Sequence, residues 1–305
     1  MLGIICSGQG NQHPAMFALT GELPAAAPIF AAATRLLGED PRRLVRQAAA
    51  ASLQANRTAQ ILCVTQALAA ACLLERVLRQ PCLVAGYSVG DLAAWGVAGA
   101  LEPEATLELA ARRAVAMDAA SGPDEGLAHI AGLSQRQVEA IARSTNVEIA
   151  ILNPGQRFIL GGARQDLEAA CARALAQGAA RAGLIGVHVA SHTRRLAAAA
   201  SAFAAELAKA AARLPSGGPL LISGLDGAPV FRLEEGRGKL AAQIAAPISW
   251  AACLATLAER GATRVLELGP GRALAEMAAG LPFTARGLED FRTAEGAAAW
   301  LEAAD

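Results

Sequence analysis

A chain of 305 residues has room for one large domain with a smaller insertion, since single cores stop growing only near ~250 to 300 residues. Hydrophobic residues make up 54%, charged residues 18% and aromatics only 4%, so the core has to be built from Ala, Leu, Val and Ile. Its 27 basic and 27 acidic residues cancel, and no block of like charge stands out that could displace counterions from a phosphate backbone, which argues against nucleic acid as a partner.

The chain starts with MLGIICSGQG, which has neither the basic region nor the long apolar stretch of a signal peptide. LGIICSGQGNQ reads as a buried strand opening into a Gly-rich turn. Residues 58 to 79 follow with helical spacing. Their apolar part, 61 to 79, is interrupted by Gln66, Glu75 and Arg76, which would be costly in lipid, so no membrane span is expected and the protein is placed in the cytoplasm. A second strand runs from about Cys82 to Ala85, with a sharp turn at Gly86 to Gly90 and a helix beyond it; residues 104 to 120 again carry helical spacing.

From 123 to 187 the texture changes. GLAHIAGL reads as a strand, SQRQVEAIARS as a helix, VEIAILNP and RFILGG as strands, ARQDLEAACARALAQ as a helix, and Ala182 to Val187 as a closing strand. That β-α-β-β-α-β order is the ferredoxin-like arrangement. An Ala-rich helical stretch, the strand PLLISGL and a third strand, turn and helix unit in RVLELGPGRALAEMAAG follow. The expected fold is therefore α/β: a hydrolase-like core of parallel sheet with helices on both faces, residues 1 to 122 and 188 to 305, and an inserted ferredoxin-like α+β subdomain, residues 123 to 187. The six cysteines (Cys6, Cys63, Cys72, Cys82, Cys171, Cys253) are scattered without metal-site spacing, so they read as small buried hydrophobes and no metal is expected.

GYSVG at 86 to 90 is the first candidate for chemistry. Glycines two residues either side of Ser88 let a strand turn abruptly into a helix and lift the hydroxyl into the open, while the Val89 amide at the helix N-terminus faces any negative charge forming on a bound carbonyl. Such a serine needs a base, and the chain offers His13, His129, His188 and His192. His129 and His188 fall in apolar strands and read as structural, and His13 as a solvated loop residue. His192, in VASHTRRL between a strand and a helix, is the best placed. Asp91, Glu267 and a backbone carbonyl all stay open as the group that orients its imidazole.

GQGNQ at 8 to 12, GYSVG, RRAVAMD at 112 to 118, NPGQRFILGG at 153 to 162, ASH at 190 to 192, QIAAPISW at 243 to 250 and LELGPG at 266 to 271 occur in the order and spacing of the malonyl-CoA:acyl carrier protein transacylases, which the chain resembles along essentially its whole length. The resemblance implies Ser88 as acylated nucleophile and His192 as general base, with the imidazole oriented by a main-chain carbonyl near Gln243. It implies an oxyanion hole from the amides of Gln9 and Val89, and an arginine four residues before Met117, hence Arg113 rather than Arg112, that grips the free carboxylate of the acyl group. Asn153 and Ser191 are placed at the substrate in the same way. No permanently bound cofactor is implied: malonyl-CoA is the substrate and the acceptor is a carrier protein with a phosphopantetheine-type arm.

Two residues depart from the common GHSxGE form, Tyr87 and Asp91. With them the segment looks most like the malonyl transferase (epsilon) subunit of bacterial malonate decarboxylase, whose acceptor is a small carrier subunit. The alternatives are a transacylase of fatty acid or polyketide synthesis, with a methylmalonyl group admitted by the small Ser191, a serine hydrolase, or a scaffold that has lost its chemistry. The Arg194 and Arg195 pair is a candidate contact for an acidic carrier.

Overall fold

The computed structural model describes residues 1–303; the last two residues of the expected core segment, 304 and 305, lie outside the described residues. Among the described residues, ten strands form two sheets: β1 (Leu2–Cys6), β2 (Cys82–Gly86), β3 (Glu125–Ala131), β4 (Glu148–Asn153), β5 (Arg157–Ala163), β6 (Arg181–Ile185), β7 (Leu220–Ile222), β8 (Ile248–Ser249), β9 (Arg264–Glu267) and β10 (Thr284–Gly287).

The first sheet has the order β10-β9-β1-β2-β7, and every pairing in it is parallel. The central strand, LGIIC, and its neighbour CLVAG are buried almost along their whole length. Parallel strands covered on both faces have no solvent side to alternate with, so they appear in the sequence as unbroken apolar runs. Because β1 and β2 are adjacent, with Cys6 opposite Gly86, the GQGNQ loop and the GYSVG turn leave the sheet side by side at its carboxyl end, where open α/β sheets bind ligands.

The helix Asn56–Ala71 is buried on nearly every side, from Ala59 to Ala70, and packs against the helices Ala27–Leu37, Val89–Val97 and Pro103–Ala120. Together with the turns that follow it, this stretch, Asn56–Leu78, is long and apolar enough to cross a membrane by length and composition. Burial inside the fold accounts for that composition.

The second sheet has the order β6-β3-β5-β4-β8. β3 pairs antiparallel with β5 and β6, and β4 antiparallel with β5. The helices Gln135–Ser144 and Arg164–Ala176 pack on it around a separate apolar cluster that includes Ile130, Val138, Ile141, Leu160 and Leu167. Two details differ from the sequence reading. β8, only two residues long, joins this sheet in parallel to Ile151 and Leu152 of β4, a pairing too short to leave any periodicity. The closing strand ends at Ile185, so His188 lies outside it and is exposed. Its neighbours Val187 and Val189 are buried: the alternation of an extended chain persists past the last ladder hydrogen bond.

Candidate active site

Ser88 sits between β2 and the helix Val89–Val97 at φ 57° and ψ −118°, a backbone conformation that side-chain-bearing residues rarely adopt. The flanking glycines are there because the backbone is too close for anything larger. A Cβ on Gly86 would lie 2.0 Å from the carbonyl carbon of Gly90, and one on Gly90 would lie 2.1 Å from the Cys6 carbonyl oxygen. Val89 begins the helix, so its amide is one of the first-turn donors that no helical carbonyl can take.

His192, also at positive φ (63°) and 1% exposed, brings Nε2 to 2.8 Å from Ser88 Oγ, while Nδ1 lies 2.5 Å from the Gln243 carbonyl oxygen. A carbonyl only accepts, so Nδ1 carries the proton and Nε2 is left as the acceptor for the serine hydroxyl. The carbonyl is thus the orienting group. Asp91 and Glu267 do not touch the ring: Asp91 bonds Gly224 and Gln243, and Glu267 bonds Ser7 and the Ala275 amide. Burial, with the Arg113 charge second, pushes the His192 pKa down to about 3 against the opposing Gln243 hydrogen bond, so the imidazole is neutral at physiological pH.

Arg113, on the helix Pro103–Ala120, is 1% exposed. Nη1 donates to Gln60 Oε1 at 2.7 Å, and Nε and Nη2 are buried with no partner. Burial lowers its pKa to about 10, with the Asp91 charge opposing, so it remains a cation. Two unmatched N–H groups on a buried guanidinium are a strong demand for an acceptor pair. Arg112, one residue earlier, is exposed and paired with Glu206 at 2.5 Å.

A cavity of about 110 Å3 opens on Ser88 and His192, lined by Gln9, Tyr87 and Ser191 together with aliphatic residues such as Leu127 and Ile159. Arg113, Gln243 and Asn153 are not among the residues that line it. Asn153, at the end of β4, acts on the buried Tyr87 side chain, whose ring stands edge-on to Trp250 at 5.6 Å between centroids. A larger, more open cleft of about 540 Å3 lies beside the first Gly turn between His13, Arg272 and Glu289. None of Ser88, His192 or Arg113 reaches it. Among the described residues no group of three or more His, Cys, Asp or Glu could hold a metal ion.

The sequence reading missed Gln60, the partner of Arg113, and the Asp91 to Gln243 contact. A polar residue within an apolar helix was the available signal for Gln60, since buried amides need partners. Arg194 and Arg195 are occupied in ion pairs with Glu148 (3.0 Å) and Glu125 (2.9 Å), which weakens them as carrier contacts. The Arg194 side chain is exposed, so its pair contributes little to stability, whereas the Arg195 pair is half-buried.

Residues 4–223 match the acyl transferase domain family. The chain is 30% identical to the malonyl CoA-acyl carrier protein transacylase of Mycobacterium bovis over 285 residues, covering 91% of this chain and 92% of that protein. It is 29% identical to its Escherichia coli counterpart over 279 residues, 88% of each chain. Among solved structures, the acyl-carrier-protein S-malonyltransferase of Burkholderia pseudomallei superposes with a TM-score of 0.89 at 26% identity, covering 97% of this chain and 99% of the other. MCAT from Mycobacterium tuberculosis superposes with 0.87 at 29%, covering 98% and 99%. With these likenesses running nearly end to end over a Ser88 to His192 contact on the expected turn, the chain belongs to the malonyl-CoA:acyl carrier protein transacylase family and is an acyltransferase.

Proposed function

We propose that the protein moves a malonyl group from malonyl-CoA to the thiol of a carrier's phosphopantetheine-type arm through a malonyl ester on Ser88. The observation that carries this is the pairing of a serine within 2.8 Å of a neutral imidazole with a buried guanidinium that keeps two N–H groups unmatched. In the first step Ser88 Oγ attacks the thioester carbonyl as His192 Nε2 takes its proton. The amides of Gln9 and Val89 bind the developing oxyanion, each such donor contributing about 2.7 to 4 kcal/mol. The tetrahedral adduct collapses, and His192 returns the proton to the departing CoA thiolate. The carrier thiol then gives its proton to His192 and attacks the serine ester, and Ser88 regains the proton as it leaves, a ping-pong sequence. Arg113 holds the malonyl carboxylate through two parallel hydrogen bonds, with Asn153 and Ser191 beside the acyl chain.

The finer reading is that the acceptor is the carrier subunit of a malonate decarboxylase. Tyr87 and Asp91 in GYSVGD favour it. Residues 123–187 are read as an inserted ferredoxin-like subdomain between core segments 1–122 and 188–305; the order β6-β3-β5-β4 and its separate apolar cluster support this. Six unpaired thiols fit a reducing cytoplasm.

The test is intact mass spectrometry after exposure to malonyl-CoA, followed by addition of the candidate carriers. A malonyl adduct that is absent in Ser88→Ala and discharges to a carrier is expected. No adduct points to a scaffold, and release of malonate at a rate that an added carrier does not change points to a hydrolase. Preference for a fatty-acid-type carrier over the decarboxylase carrier removes the finer reading alone.

A further inference from the structure

Asp91 is 1% exposed and lies on the first turn of the helix behind Ser88. Its Oδ2 accepts two hydrogen bonds, from the Gly224 amide at 3.0 Å and from Gln243 Nε2 at 2.9 Å. Gly224 allows this approach, because a Cβ there would fall 2.9 Å from that same oxygen. The main chain of Gln243 carries the carbonyl that receives the His192 Nδ1 hydrogen, and the Asp91 amide donates to the Ser88 carbonyl at 3.0 Å. Ser88, His192, Gln243 and Asp91 therefore close a ring: Ser88 Oγ to His192 Nε2, Nδ1 to the Gln243 carbonyl, Gln243 Nε2 to Asp91 Oδ2, and the Asp91 amide back to Ser88.

We propose that Asp91 is a positioning residue for acyl transfer, acting through the Gln243 side chain to hold the carbonyl that fixes the ring and tautomer of His192. The inference rests on the reading of Ser88 as nucleophile and His192 as base. Gln243 is the C-cap of the helix Leu233–Ala242, and helix ends are where carbonyls lack helical partners and the chain frays. The next residue, Ile244, accepts the His192 amide at 2.9 Å, so two consecutive carbonyls grip the base, one by its backbone and one by its ring. Asp91 ties this short segment to the helix that carries the nucleophile, so that Ser88 and His192 are referenced to one rigid element. A carbonyl free to swing would release Nδ1, let the proton move to Nε2 and leave Ser88 facing a donor.

The test is single-turnover acylation of Ser88 by malonyl-CoA, read by quenched intact mass spectrometry, on Asp91→Ala, Asp91→Asn, Gln243→Met and the Asp91→Ala/Gln243→Met double variant, with thermal unfolding alongside. Gln243→Met keeps the main-chain carbonyl and removes only the side-chain link. Asp91→Ala and Gln243→Met are each expected to slow acylation about ten- to a hundredfold, as small misplacements of reacting groups do, with half-saturation for malonyl-CoA moved less than about threefold. The double variant should lose no more than the worse single one, because both cut the same link. Asp91→Asn keeps an acceptor oxygen for both N–H groups and should stay within about threefold of wild type.

Acylation at the wild-type rate in folded Gln243→Met overturns the proposal, and this holds even where Asp91→Ala fails to fold. Multiplicative losses in the double variant also overturn it, as does an Asp91→Asn variant as slow as Asp91→Ala, which would assign the effect to charge alone. A wild-type protein that takes no malonyl group refutes the functional reading first, and this inference with it.

Discussion

The His192 environment makes a prediction about the acid side of the acylation rate. An imidazole with its ordinary pKa near ~6.5 is only about 3% neutral at about pH 5, so a base of that kind would lose about twenty-five-fold in rate between neutrality and that point. Burial, reinforced by Arg113, holds the His192 pKa at about 3, which leaves it about 99% neutral at the same pH. The rate of CoA release in the first half-reaction, measured under subsaturating malonyl-CoA, should therefore stay level down to about pH 5 and fall only in more acidic buffer. Two neighbours bear on the sign. Asp91 has a pKa raised to about 7 by burial; protonating it on the way down removes a negative charge near Arg113, which disfavours the imidazolium further and keeps the rate level. Arg113→Ala removes the repelling cation, so its acid limb should move up toward the ordinary value without reaching it, since burial is the larger cause. Rapid-quench kinetics from about pH 4 to about pH 8 read both. A wild-type limb centred near the ordinary histidine value, or an Arg113→Ala limb displaced downward, refutes this account of the site.

Removing Arg113 should also change which acyl group is taken. Arg113→Ala is expected to lose about a hundredfold or more in malonyl transfer, as two charge-assisted hydrogen bonds disappear, while acetyl transfer from acetyl-CoA is kept or gained; equal losses on both would make Arg113 structural. Glu267→Gln tests a buried charge away from the chemistry. Burial lifts the Glu267 pKa from 4.5 to about 7 against the Ser7 and backbone hydrogen bonds, so the wild type is fully stabilised below the unfolded pKa and loses stability as pH rises through the folded one, on the order of 3 kcal/mol in all. The amide keeps both contacts, accepting from the Ala275 amide and donating to Ser7, so in urea unfolding the variant should gain on wild type between about pH 5 and about pH 8. A gap independent of pH excludes the buried charge as the cause. Tyr87→Phe removes the buried hydroxyl on which Asn153 acts and should cost about 1 to 2 kcal/mol in the same assay; an unchanged midpoint would show that hydroxyl to be immaterial.

What was legible in the sequence was what the backbone forces on residue identity. The glycines around Ser88 are unavoidable at 2.0 Å and 2.1 Å approaches, and the continuous apolar runs of β1 and β2 follow from a sheet buried on both faces. His192 stood out because few histidines compete with it and because chain irregularity next to an apolar strand is where side chains reach a cleft. The illegible parts depend on contacts between residues far apart in the chain. Nothing local to Gln60 tells that its amide will meet Arg113, 53 positions later, nor that Asp91 and Gln243 will meet across 152 positions. Arg194 and Arg195 show the converse. Their charges were plain, but whether they were free depended on Glu148 and Glu125.

Two features of the site are linked through the substrate. Arg113 is a buried cation with unmatched donors, and its field helps to keep His192 a weak base. A malonyl carboxylate paired with Arg113 satisfies those donors and cancels the field, so on the proposed reading the acyl group raises the basicity of the residue that must deprotonate Ser88. An acetyl group binds without doing so and meets a base still depressed. Discrimination would then be expressed in the acylation step as well as in binding, which is where interactions realised on the way to the transition state count. On the same reading, a thioester without a carboxylate leaves the Arg113 charge acting on His192 in addition to burial, so the imidazole is less well matched to proton abstraction near neutrality. A poorly basic histidine is, on the proposed reading, part of how the site selects its acyl group.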